Sequence, residues 1–309
     1  MPTVPPPIFR NMTDSDKHGK LTTKIIMKKI LISIIVCFAA IAAMAQIDMM
    51  RISYAHHAKV YKDKSKERID KYILHTDFKN STYYNPSAYF LDKSAHDENA
   101  RNAYGQMASA MQASGQGGMV PNRTVSTYVF KTFDNQSLRV YQDSNEEYIY
   151  YDEPFDEMKW ELVGDSTKTV LNYECMMAET DYHGRHWTVW FTPEIPVQDG
   201  PWKFEGLPGM ILMASDSTGD HSIVATGIEY TAETLPKMEV PEYYSKGDRI
   251  DFLKLSSKSM KSSINEIMTM YPGAKVKIMV PGAGELSGDE ISDYASSLDP
   301  NFRGLETDY

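Results

Sequence analysis

Cysteine is nearly absent. The 309-residue chain has two, and Cys37 lies in an apolar run near the N-terminus. That leaves Cys175 alone in the remainder, which excludes an intrachain disulfide there and thiolate zinc sites, which need several cysteines. Stability must come from core packing. An excess of basic residues is missing too: the formal net charge is −10. So acidic a chain has no electrostatic footprint for phosphate backbones, and nucleic acid is excluded as a natural partner. No G-x-S-x-G, H-E-x-x-H or phosphate loop occurs, so the common catalytic and cofactor motifs are absent and no cofactor is expected. The longest apolar run, residues 30–45, falls short of the roughly 20 residues needed to span a bilayer.

What that run does resemble is an export signal. "MKKILISIIVCFAAIAAMAQ" begins at Met27 with Lys28 and Lys29, continues apolar, and ends Ala43-Met44-Ala45 before Gln46. A basic n-region, an apolar h-region and an A-x-A site predict a secretory signal at 27–45, cleaved after Ala45. Residues 1–26 then read as an upstream extension outside the real start. Cys37 follows Val36 rather than a small residue and is a poor lipid-attachment site. The expected product is therefore exported, periplasmic or extracellular, without a stable transmembrane anchor. Its balance is 26 Lys+Arg against 40 Asp+Glu, a net charge of −14.

Residues 46–309 read as one domain, since no fixed-period repeat and no linker divides them. Residues 47–59 begin with alternation and predict a first strand, and "YIL" with "KNSTYYN" a second strand and its turn. Residues 86–111 are rich in Ala and Met without β-branching and predict a helix, stopped by "SGQGGMVPN". From 124 to 230 come short runs crowded with Val, Thr, Tyr and Trp, about ten residues apart with polar or Gly turns. Connections that short favour antiparallel neighbours. The prediction is a mainly β (α+β) fold: a curved antiparallel meander of eight or nine strands, open like a half-barrel. Apolar residues at helical spacing over 248–270 predict a long C-terminal helix, "KVKIMV" a strand, and 289–298 a last short helix.

The most distinctive stretch is "GPWKFEGLPGMIL", residues 200–212. Pro193, Pro196 and Pro201 keep the preceding segment extended, forming a Pro-rich arm. Leu207-Pro208-Gly209 predicts a type II turn with Gly209 at positive φ. An extended arm would place Trp202 and Phe204 on one side of its pleat, Lys203 and Glu205 on the other. Two readings stand: a rigid corner packing its aromatics onto the core, or an aromatic lip on a ligand groove.

Residues 172–229 resemble the GLPGLI family of bacterial envelope proteins. The hexapeptide appears as Gly206-Leu207-Pro208-Gly209-Met210-Ile211, with Met210 where the family name has Leu. Trp190, Pro193, Ile195-Pro196, Gly200-Pro201, Phe204, Tyr173-x-Cys175, Ala178 and Gly184-Arg185 extend the likeness. The resemblance implies export but no chemistry, because the family has no established activity.

Other candidates are weaker. Cys175, Met177, His183, His186 and His221, with 15 of the 19 methionines lying beyond residue 45, could form a soft, copper-type site. His183 and His186 lack a metal-motif spacing, and methionine more commonly fills cores. Seven carboxylates fall within 143–157 and could supply hydrolytic acid/base pairs or a solvated hairpin edge. "DSTGD" reads as a hairpin turn rather than a calcium loop. "GAGELSG" lacks the βαβ setting of a dinucleotide fingerprint. The expected function is a non-catalytic binding or accessory protein of the envelope. It would hold an apolar or peptidic ligand, or an envelope protein, near Trp190, Trp202, Phe204, Leu207 and Arg185.

Overall fold

The structure is a computed structural model that describes residues 49–114, 127–144, 147–155, 158–235, 244–257, 266, 269, 277–280 and 284–309. The extension and signal expected at 1–45 lie outside the described residues, among which no helix is long and apolar enough to cross a membrane.

Twelve strands form one sheet. In chain order they are β1 (Met49–Ala58), β2 (Arg68–Thr76), β3 (Asn80–Tyr84), β4 (Tyr128–Thr132), β5 (Ser137–Ser144), β6 (Glu147–Pro154), β7 (Glu161–Val170), β8 (Tyr173–Tyr182), β9 (Arg185–Thr192), β10 (Met210–Asp216), β11 (His221–Thr231) and β12 (Ser245–Lys246). Their spatial order is β12-β6-β5-β4-β3-β2-β1-β11-β10-β9-β8-β7. Two antiparallel meanders, β1–β6 and β7–β11, are thus zipped together by their β1 and β11 strands, which pair from Met49↔Thr231 to Ala58↔His221. Among the described strands only the short β12 runs parallel to its neighbour. The sheet is not closed into a barrel.

Its curvature follows from chain length. β6 and β7 lie ten positions apart in the sheet, about 48 Å if flat at the usual strand spacing. Yet residues 155–160 alone join them, and the seven Cα steps from 154 to 161 reach at most about 25 Å. The sheet must curl until its two ends approach. Alternation then sorts the side chains: in β1, Met50, Ile52 and Tyr54 point inward, and in β5 Leu138 and Val140 do the same.

Local sequence explains most departures from expectation. The helix predicted at 86–111 is two helices, α1 (Pro86–His96) and α2 (Glu98–Ala113). Asn85 caps the first, with Pro86 opening it. Asp97 adopts extended geometry and accepts hydrogen bonds from the amides of Asn99 and Ala100, so it ends one helix and caps the next. Residues 161–163 and 168–170 belong to the single strand β7, whose register shifts between Leu162 and Thr167. Of the long helix expected at 248–270, the continuous described part is α3 (Arg249–Ser256), capped by Asp248; most of the rest lies outside the described residues. β13 (Lys277–Val280) and β14 (Gly284–Ser287) form a separate hairpin before α4 (Asp289–Ser297).

Candidate functional site: the arm, its ion network and the aromatic face

The arm, residues 193–209, fills the concave side of the sheet. Ile195, Trp202, Phe204 and Leu207 join the main core with residues of both meanders. Trp202 is 1% exposed, Phe204 0% and Leu207 2%, so none offers surface to a ligand. Trp202 and Phe204 meet edge-on at 5.2 Å, and Trp187 packs against Phe204 at 5.0 Å, the edge-to-face geometry aromatic quadrupoles favour. These contacts give the arm the character of a core corner.

The arm is not a simple pleat. Phe204 N–H donates to Pro201 O, and Trp202 has φ +54°, so the backbone turns at 201–204. As a result Lys203 is buried beside Trp202 and Phe204 instead of facing away from them. The expected type II turn is corrected as well. Gly209 is not among the positive-φ residues, whereas Gly206 is, at +88°. Gly209 N–H donates to Leu207 O at 2.7 Å, a three-residue γ-turn around Pro208. Glycine is needed at 209 for close approach, since a Cβ there would overlap the Thr192 carbonyl and lie 2.9 Å from Pro193 N. Gly200 is crowded by Ile211 in the same way, while Pro201 is buried beside it.

Two buried lysines fix the arm. Lys131 of β4 donates to Asp199 Oδ1, Gly200 O and Phe204 O. Lys203 lies 2.8 Å from both Glu153 of β6 and Glu306. Arg249 adds contacts to Glu153, Glu306 and Asp308. Burial alone would raise the Glu306 carboxyl pKa, but Lys203, His183 and Arg249 outweigh it and hold it below the ordinary range. Sequence reasoning missed Lys131, Lys203 and Glu306. A lysine flanked by aromatics in a Pro/Gly-punctuated arm was the available hint.

The C-terminal segment closes this region. Arg185, expected to face a ligand, is buried instead: it pairs with Asp216 at 2.6 Å and donates to the carbonyls of Arg303 and Gly304. His221 contacts His56 at 3.0 Å and Arg303 O at 2.9 Å. Thr307 N–H donates to His183 O. Burial pushes the His221 pKa down to about 4.

The soft-metal set does not assemble. Cys175 is buried with its thiol pushed up to about 11 by burial. Met177 is half-buried on β8. His186 is exposed and pairs with Asp181 at 2.8 Å, and His221 faces His56. Among the described residues, the grouping of three or more His, Cys, Asp or Glu ligand atoms is Glu153, His183 and Glu306. The carboxylate run also divides: Asp152 pairs with Arg139 on one face of β6, Glu153 with Lys203 on the other, while Glu146, Asp156 and Glu157 lie outside the described residues. "DSTGD" turns the β10–β11 hairpin, where Asp216 accepts from His221 N–H. Trp190 is half-buried and packs against the main core, with Lys168 Nζ 5.5 Å from its ring centroid.

The convex face carries a different surface. Tyr84, Tyr128, Tyr141 and Tyr244 form a second cluster, with Tyr89, Phe130, Tyr148 and Tyr150 half-buried around it. Beside it lies a groove of about 540 Å³ lined by Phe130, Thr132, Ser137, Leu138, Arg139, Tyr141 and Asp152. Arg139 Nε lies 2.5 Å from Asp152, and its guanidinium carbon sits 4.9 Å from the Tyr150 ring centroid.

A family model described as "Protein of unknown function (Porph_ging)" matches residues 179–213. None of the curated proteins matches the chain. Among solved structures the chain is similar to PNGF-II in two crystal forms, at 14% and 13% identity, each with a TM-score of 0.46. These alignments cover 68% of this chain and 33% of that chain, so this chain spans about a third of PNGF-II. It is also similar to an uncharacterized conserved protein from Thermus thermophilus, at 6% identity and a TM-score of 0.32, covering 68% of this chain and 99% of that one. The matched family segment runs from β8 through β9 and the arm into β10, the part of the molecule that Lys131, Lys203 and Arg185 hold in place.

Proposed function

We propose that the chain is an exported, non-catalytic binding or accessory protein of the cell envelope, which holds an apolar peptide segment on the convex aromatic face of β4–β6. The supporting observation is the groove floored by Phe130 and Tyr141 and edged by the Arg139–Asp152 pair. Its volume, about 540 Å³, falls within the range of small-ligand sites. Aromatic rings supply apolar contact, and the ion pair offers a donor and an acceptor to a peptide backbone. The arm, first expected to carry the ligand, has its aromatics committed to the core. Its role in this reading is to hold the curled sheet that displays the groove.

The test is chemical-shift mapping of the full mature chain with capped tripeptides of Leu, Phe and Pro. Saturable shifts should concentrate on Phe130, Arg139 and Tyr141, and Arg139→Gln should weaken them with little change in the melting temperature. An absence of saturable shifts up to about 1 mM, the weak limit for a specific site, would overturn the reading.

A further inference from the structure

We infer that Glu153, His183 and Glu306 form a binding site for one divalent cation of the zinc class, separate from the aromatic groove. Their ligand atoms all lie within 4.8 Å of one another. Around a single zinc ion, nitrogen and oxygen ligands at 2.0–2.2 Å stand roughly 3–4 Å apart, so side-chain movements of about 1 Å complete the set. One imidazole and two carboxylates are donors of the borderline type that zinc accepts.

His183 is the observation that points to a ligand. Its side chain is 7% exposed, and its Nε2 has no hydrogen-bond partner among the described residues. Nδ1 lies 3.0 Å from Asp308. A carboxylate there fixes the tautomer with the proton on Nδ1 and turns the Nε2 lone pair inward, the arrangement that orients metal-bound histidines. Nε2 lies 4.0 Å from Glu306 Oε2, too far for a hydrogen bond and suited to an intervening ion. Glu306 Oε1 lies 2.8 Å from Lys203 Nζ, so its other oxygen, Oε2, is the one that faces His183.

Charge and strain point the same way. Glu153, Glu306 and Asp308 bring three negative charges to the cluster, Lys203 and Arg249 two positive ones. Carboxylates therefore outnumber the lysine and arginine charges in the cluster, an imbalance that a bound cation offsets. His183 also occupies the first position of a two-residue hairpin turn, with φ +49° followed by Gly184 at +79°, between the paired Tyr182 and Arg185. Asn-Gly is the sequence such a turn favours. An imidazole held there instead, in a conformation side chains rarely adopt, is the kind of local strain found at functional sites.

That turn supplies the decisive variant. His183→Asn keeps a residue the turn prefers while removing the imidazole, so a loss of binding cannot be attributed to a lost hairpin. The experiment titrates the metal-free mature chain with Zn²⁺ by calorimetry, and with Co²⁺ by visible absorption. The expected result is one ion per chain, with affinity reduced more than about 10-fold by His183→Asn and by Glu306→Gln, and about 10-fold or more by Asp308→Asn. His186→Asn, at the exposed pair with Asp181 and Glu179, should leave it unchanged. Absence of saturable one-to-one binding would overturn the inference. Binding that survives His183→Asn, or that disappears with His186→Asn, would overturn it equally.

Discussion

Lys131 Nζ lies 2.8 Å from Asp199 Oδ1, and neither side chain has any exposure. The same ammonium also donates to Gly200 O and Phe204 O at 2.8 and 2.7 Å. All three of its protons are therefore used inside the core, on one arm. Lys131→Met would strip the ammonium from two buried carbonyls and from the Asp199 carboxylate, which would keep the Gly200 N–H. The loss should be about 3–5 kcal/mol, the range for breaking a buried pair from one side. Urea denaturation measures it; a loss under about 1 kcal/mol would mean that water reaches Asp199 and the arm is not sealed.

Gly209 separates steric crowding from backbone dihedral. Its Cβ direction runs into the Thr192 carbonyl and Pro193, and its φ is not positive. Gly209→Ala and Gly209→Asn should therefore be about equally destabilising, by about 1–3 kcal/mol, as for other overpacked sites. A type II turn would instead tolerate asparagine, whose side chain accepts positive φ. Urea midpoints showing Gly209→Asn close to wild type would restore the turn.

Trp202→Ala removes a fully buried ring that touches Trp187, Tyr182 and Phe204. Stability should fall by roughly 3–5 kcal/mol, as for large aromatic truncations in cores. Chemical denaturation with the stability of the wild type unchanged would return Trp202 to the surface as a ligand lip.

Much of this fold is legible in sequence because its strands obey period two. β1 alternates along Met50, Ile52 and Tyr54, and the runs ending in "RHWTVWFT", "GMILMAS" and "HSIVATGI" fall on β9, β10 and β11. Strand order was not legible, because the β1–β11 pairing joins residues more than 160 apart in the chain and no local pattern encodes it. The arm was half-legible. Proline and glycine mark its turns, yet the burial of Lys203 depends on Glu153 and Glu306, which lie 50 residues before it and far beyond it. The cluster around His183 escaped for the same reason: its ligands come from a hairpin, an opposite strand and the C-terminal segment. Sequence neighbours such as His186 and Cys175 looked more promising only because they were near in the chain.

His221 gives the stability a pH dependence of definite sign. Burial disfavours its charged form and places its pKa at about 4, against about 6.5 in an unfolded chain. Between those values the unfolded chain binds a proton that the folded one does not. Stability is therefore complete above about pH 6.5 and falls as pH drops toward 4. His56, buried against it and also shifted down, first by burial and then by His221, acts in the same direction. Urea midpoints at pH 7.5, 6.0 and 4.5 should decline in order, and His221→Asn should flatten the decline. A wild-type midpoint that stays constant from pH 7.5 to 4.5 would contradict it.

The central claim is that the arm belongs to the core and moves only when the core unfolds. Native-state hydrogen exchange tests it most directly. Gly200 N–H donates to Asp199, Met210 N–H to Ile195 O and Ile211 N–H to Asp199 O, all beneath the curled sheet. These amides should exchange only through global unfolding, with the same free energy and urea dependence as the amides of β1 and β11. Exchange through a small local opening insensitive to urea, while β1 and β11 stay protected, would show a mobile lip and contradict the account.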